Sequence, residues 1–175
     1  MDASATMGAD TRDAFGALLQ QHRGIVFKVA NAYARSAEDR DDLAQEIATQ
    51  LWRAWPGYDP ARRFSTWMYR IALNVGISFL RSDSQRRRHA VPLDDVDDIA
   101  DHGAVDHEAA GALRVLHRFI ATLEPLNRAL LLLYLDERST REMAEVLGIS
   151  ESNVTTKISR LRQRIRDHVA PATNE

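Results

Sequence analysis

The sequence predicts an all-α protein: two small helical domains joined by a flexible acidic linker, the second domain carrying a helix-turn-helix. Three observations predict this. Apolar residues recur at three- and four-residue spacing along most of the chain, with no convincing period-two alternation. Residues 90–110, AVPLDDVDDIADHGAVDHEAA, lose that stripe and collect aspartate around Pro92 and Gly103. Residues 139–165, STREMAEVLGISESNVTTKISRLRQRI, start a helix, stop it at a glycine and start a longer, more basic one. The expected boundaries are 10–88 for the first domain, 89–108 for the linker and 109–170 for the second domain.

In the first domain, Phe15, Leu18, Leu19, His22, Val26, Val29 and Tyr33 recur at helical spacing. Leu43, Ile47, Leu51, Trp52 and Trp55 form a second stripe. Its first turn holds Glu38, Asp39, Asp41 and Asp42, which suits the positive end of a helix dipole. Pro56, Gly57 and Pro60 end it. A third helix is expected from about 65 to 81, with Trp67, Ile71 and Val75 on one side.

The second domain opens with Leu113, Leu116, Ile120 and Leu123, then Pro125 at the first turn of a helix bearing Leu126, Leu130, Leu133 and Tyr134. Ser139 and Glu142 have the spacing of a capping box. Met143, Ala144 and Leu147 give that short helix an inner face. Gly148 can take the left-handed conformation that ends it, and Ser150 caps the next. Val154, Ile158, Leu161 and Ile165 face inward there. Ser152, Asn153, Thr155, Thr156, Lys157, Ser159 and Arg160 face outward. Small hydrogen-bonding groups and cations on one helical face suit a DNA major groove. The plain alternative is a helical hairpin with a solvated basic face. The glycine turn, the two caps and the lack of a large apolar residue outside favour DNA.

The formal net charge of the 175-residue chain is only −2, but its distribution is uneven. Arg62, Arg63, Arg70, Arg81, Arg86, Arg87 and Arg88 face a lone Asp83 between residues 62 and 88. Residues 91–108 carry no Lys or Arg. Lys157, Arg160, Arg162, Arg164 and Arg166 follow near the end. Two basic segments can bind polyanions locally in a nearly neutral chain. The absence of cysteine excludes disulfides and thiolate chemistry. No secretory leader or apolar run of about 20 residues is present, so a soluble, cytoplasmic protein without direct membrane insertion is expected. No phosphate loop or nucleophile elbow appears. HEAAG lacks the second histidine of a zinc-protease motif. His102 and His107 beside Asp101 and Asp106 sit in a segment too flexible to preorganise a metal. No enzyme activity, metal or cofactor is expected.

Two segments together resemble a known family. AEDRDDLAQEIATQLWRAW followed by FSTWMYRIALNVGISFLRS, and LEPLNRALLLLYLDERSTREMAEVLGISESNVTTKISRLRQRI, are similar to bacterial RNA polymerase sigma factors of the extracytoplasmic-function (ECF) type. The resemblance spans about residues 15–166. It implies a protein that binds core RNA polymerase, directs it to promoters and helps open the DNA, while polymerase performs the chemistry. Docking on the β′ coiled coil would fall to Asp39, Asp41, Asp42, Leu43, Gln45 and Glu46, with a second contact on the β flap. Reading of the −10 element would fall to Arg62, Arg63, Phe64, Ser65, Thr66, Trp67, Tyr69, Arg70, Asn74 and Arg81. Reading of the −35 element would fall to Ser152, Asn153, Thr155, Thr156, Lys157, Ser159 and Arg160. An anti-sigma protein is a further implied partner.

The chain departs from the family pattern at Ser152, where glycine is usual, and at Thr155, where a basic residue is usual. Ser78 and Phe79 stand where acidic residues are common. Plainer roles compete for several residues: Asp39 and Asp41 as helix-start charges, Trp52, Trp55 and Trp67 as core, Asn74 as a bonding group within the bundle. Two other readings compete for the whole chain. A helix-turn-helix regulator usually carries a receiver or ligand-binding domain, which this N-terminus lacks. A protein-binding helical adaptor does not explain the DNA-suited face at 153–160.

Overall fold

The structure is a computed structural model of the chain and describes residues 3–89 and 107–169. Residues 90–106 of the expected linker, with Asp101, His102 and Asp106, lie outside the described residues; its ends, residue 89 and residues 107–108, are helical. Among the described residues eight α-helices follow in order: α1 (Ala3–Gln21), α2 (Arg23–Tyr33), α3 (Ala37–Ala54), α4 (Phe64–His89), α5 (His107–Ala121), α6 (Pro125–Leu135), α7 (Thr140–Leu147) and α8 (Glu151–Val169), with a 3-10 turn at Trp55–Gly57. No strand occurs among the described residues. None of their helices is long and apolar enough to cross a membrane.

The first stripe is split between α1 and α2 at His22, whose φ of −109° and ψ of 13° leave the helical region. Gly24 lies two residues on, and its low helix propensity makes a break nearby inexpensive. The break lets Val26, Val29, Ala30 and Tyr33 turn into the bundle, where they are buried. Helix α3 starts at Ser36, whose hydroxyl accepts from the Asp39 amide at 3.0 Å, an N-cap. Its inward face is Leu43, Ile47 and Leu51. Trp52 departs from the expected core placement: it is 41% exposed and meets Phe15 edge-on at its rim.

Helix α4 is longer than expected and rotated from its expected phase. Its fully buried side is Met68, Tyr69, Ala72 and Leu73, while Trp67, Ile71 and Val75 are only partly buried. The reason is that α4 is flanked on two sides, by α2 and α3. A helix wedged between two neighbours centres its most buried residues between them. At Gly76 the approach of α2 leaves no room for a side chain: an added Cβ would lie 2.9 Å from the Tyr33 ring.

Helices α6, α7 and α8 pack on one another as the second unit. Pro125 opens α6 as expected. The capping box at Ser139 and Glu142 is formed, and Gly148 sits at φ 66°. Ser150 accepts from the Asn153 amide at 3.2 Å at the start of α8. Met143 and Val146 are the buried residues of α7, and Val154 and Leu161 those of α8. Leu113 and Tyr134, expected inside, are 49% and 38% exposed. The two units share one continuous apolar core, with α4 against α6 and α7, and α2 against α5 and α6.

Candidate nucleic-acid interface

Three surfaces carry the residues singled out in the sequence. The first is the N-terminal half of α3. Asp41, Asp42, Gln45 and Glu46 are exposed there and Asp39 partly so. Asp41 pairs with its neighbour Arg40, at 3.8 Å. Leu43 requires a correction as a docking residue: it is 1% exposed and belongs to the core. It forms part of the floor of a groove of about 560 Å³ between α3 and α4, where Glu46, Gln50, Asn74 and Phe79 line the walls. Asn74, expected on the DNA side, is exposed and lines this groove.

The second surface is the loop 58–63 and the start of α4. Tyr58 stacks on Trp55 at 5.2 Å, and its hydroxyl donates to the Arg62 carbonyl at 2.8 Å. Asp59 accepts from the Ala61 amide at 2.9 Å. Phe64 and Trp67 complete the cluster, with ring centroids 5.3 Å apart. Aromatic packing thus fixes a short loop that aims Arg62 and Arg63 outward. Tyr58 was missed in the sequence, although its place beside two prolines and a tryptophan was a usable signal. Phe64 is 6% exposed and Tyr69 fully buried, so neither offers a ring to a base in this arrangement. Thr66 and Trp67 are half-buried, and Arg70 and Arg81 are exposed.

The third surface is α8. Ser152, Asn153, Thr155, Thr156, Ser159 and Arg160 are exposed on one side, with Lys157 half-buried beside them. The Thr155 and Thr156 hydroxyls donate to the carbonyls of Glu151 and Ser152, each at 3.0 Å. Their protons are therefore engaged and their lone pairs face outward as acceptors. The Ser152 hydroxyl shares a bond with Ser150 at 3.2 Å.

The second surface meets the helix-turn-helix unit directly. Arg63 donates to Glu142 at 3.2 Å, and Arg62 to Glu145 at 3.4 Å. Arg138 donates to the Ser65 hydroxyl at 3.0 Å and lies over the Tyr69 ring at 5.3 Å. Asp136 receives Arg138 at 3.1 Å and pairs with Lys28 of α2. Burial pushes the Asp136 carboxyl upward, but the bonds from Lys28 and Arg138 outweigh it, and its pKa falls below the usual carboxylate value. Glu142 is also lowered, first by the Ser139 amide and then by its hydroxyl and nearby arginines. Tyr69 is raised by burial, then by the Asp136 charge beside it. Its hydroxyl does not meet hydrogen-bond geometry with any partner.

A second seam lies where α2 ends. The Tyr33 hydroxyl donates to the Pro125 carbonyl at 2.8 Å. Arg128, 6% exposed, donates to the Ala32 carbonyl at 2.7 Å and to those of Ala121 and Leu123 at 3.1 and 3.2 Å. Burial lowers its pKa, and the like charge of Arg35 adds to this. Its guanidinium also sits 5.4 Å from the Tyr33 ring. Bonds from a charged donor contribute about 1.5–3 kcal/mol, whereas exposed ion pairs such as Arg62–Glu145 contribute about 0–1 kcal/mol. The Arg128 seam therefore holds the two units together more strongly than the loop contacts do.

Residues 18–87 match sigma-70 region 2, and residues 113–165 match sigma-70 region 4. The ECF RNA polymerase sigma-E factor of Escherichia coli is 29% identical over 175 residues, which cover 90% of this chain and 87% of that protein. The ECF sigma factor SigE of Mycolicibacterium smegmatis is 27% identical over 162 residues. That match covers 90% of this chain but spans only 62% of the relative's length. Among solved structures, CnrH in complex with the cytosolic domain of CnrY shares the fold with a TM-score of 0.68 at 22% identity, over 98% of this chain and all of that one. The sigma factor RpoE of Bartonella quintana, bound to the anti-sigma factor NepR, also gives a TM-score of 0.68, at 17% identity over 93% of this chain and 98% of that one. With both regions present in order and together covering more than half its length, the chain belongs to the sigma-70 family, among the ECF RNA polymerase sigma factors.

Proposed function

We propose that this chain binds core RNA polymerase, directs it to promoters through −10 and −35 elements, and helps open the duplex there. Residues 10–88 serve as the polymerase- and −10-binding domain, 89–108 as the connection and 109–170 as the −35-binding domain. One observation carries the reading. An aromatic-braced loop presenting Arg62 and Arg63, and a capped helix with an exposed polar face, occur in one chain in the order of regions 2 and 4. Loop cations suit the phosphates of a displaced strand, and α8 suits a major groove. Asp42, Gln45 and Glu46 offer an acidic, exposed face to a basic polymerase surface. The chain itself carries out no reaction in this account. It works inside the cell, where polymerase and chromosome are. CnrH is in complex with the cytosolic domain of CnrY, and RpoE with the anti-sigma factor NepR, which supports an anti-sigma partner here.

The test is transcription from a library of genomic fragments by core polymerase with and without the purified chain. Discrete new start sites are expected. No start above core enzyme alone would overturn the proposal. A helix-turn-helix regulator would act only when another sigma factor is supplied.

A further inference from the structure

At Thr155 and Thr156 the outer face of α8 offers acceptors and methyls, not donors. Each hydroxyl gives its proton to the helix backbone, to the carbonyls of Glu151 and Ser152 at 3.0 Å. A threonine hydroxyl has a single proton, so oxygen lone pairs are what it has left for a partner. The same bond fixes χ1, the torsion that places both branches of the side chain. Each methyl is therefore held beside its oxygen instead of rotating past it. Both residues are exposed, so both groups can meet a groove floor. A lysine or arginine at 155 would donate to guanine O6 and N7. A threonine whose proton is already engaged does not.

An acceptor held beside a methyl matches one base pair in the major groove. Adenine N6 has protons to donate, and its partner thymine carries a C5 methyl. A C·G pair also supplies an amine, from cytosine N4, but it has no methyl, so the second contact is lost. We propose that Thr155 and Thr156 specify A·T pairs at two neighbouring positions of the −35 element. Each accepts from adenine N6 and packs its methyl on that of thymine. The inference rests on the −35 reading proposed above and adds the base pairs that the face takes. Arg160, exposed one turn further on, keeps its donors for guanine or phosphate outside this step.

The test uses core polymerase with the full chain. Promoters are selected from a library randomised across the −35 region, once with this protein and once with Thr155→Ser and Thr156→Ser. Serine keeps the hydroxyl and lacks the methyl. Two neighbouring A·T pairs are expected with the parent protein, at positions where the serine variant loses its preference for them. At those positions thymine is then replaced by uracil, which lacks the methyl, and adenine by 7-deazaadenine, which lacks N7. Uracil should weaken holoenzyme binding about fourfold per position, the effect of one buried methyl. Removal of N7 should leave binding unchanged, because no donor faces it. The serine variant should bind thymine and uracil duplexes equally.

Selection of C·G at those positions would overturn the proposal. So would a selection unchanged by the serine variant, equal binding of thymine and uracil duplexes by the parent protein, or a loss on removing N7, which would mean that a donor reads the purine. Specific transcripts from a library that shows no enriched −35 sequence would overturn the −35 reading of α8 itself, and the proposal with it.

Discussion

Tyr33 shows how much one side chain can carry. Its ring fills the space against Gly76, its hydroxyl reaches Pro125 of the second unit, and Arg128 sits against its ring. Gly76→Ala places a methyl 2.9 Å from that ring. Tyr33 is fully buried and has no free direction in which to retreat. Overpacking of this kind lowers stability by about 1–3 kcal/mol; urea denaturation of the variant checks it. Neither Tyr33 as a tie nor Gly76 as its socket was legible in the sequence, because the two residues meet only after α2 and α4 pack. Arg128 did leave a trace: it is the single charged residue within PLNRALLLLYL. A lone cation in an apolar run needs carbonyl or carboxylate partners when buried, and the structure supplies three carbonyls.

At the scale of the element, the helix-turn-helix was the most legible part of the chain. Its caps depend on residues within three or four positions of each other, so local spacing was sufficient. Ser139 accepts from the Glu142 amide, and the Glu142 carboxylate returns to the Ser139 amide at 3.0 Å. Ser139→Ala removes half of that box and should lower stability by about 0.5–2 kcal/mol, read as a lower midpoint in thermal unfolding. The phase of α4 was misread for the opposite reason: its buried side is set by α2 and α3, not by its own sequence. The turn after α6 was also missed. Glu137 there takes φ 54°, and the Arg138 amide bonds back to the Leu133 carbonyl at 3.0 Å. Glutamate in a left-handed position left no sequence signal, where glycine would have. That turn swings Arg138 toward Tyr69.

At the scale of the whole molecule, both seam tyrosines are buried and neutral, with pKa values raised above the ordinary value of 10.0. A group whose folded pKa is raised contributes stability below its unfolded pKa and loses that contribution as pH rises beyond it. The protein should therefore lose stability above about pH 10, and Tyr33→Phe should make the decline shallower in denaturant titrations at successive pH values. The two-unit organisation was legible from composition, because a run of aspartate interrupted the helical stripe. The docking of the units was not, since its bonds join residues 73 to 108 positions apart.

The seam at the end of α2 has one further consequence, for how such a protein can drift. Tyr33 and Arg128 reach across to the carbonyls of Pro125 and Ala32, and every amino acid supplies a carbonyl. The instruction to dock is thus written in one partner of each pair only. Replacements at position 32 that keep the backbone path would leave the bond intact, so a search for paired changes between relatives would pass over this junction. The heritable mark to look for is the retention of a hydroxyl at 33 and a guanidinium at 128, beside neighbours free to vary.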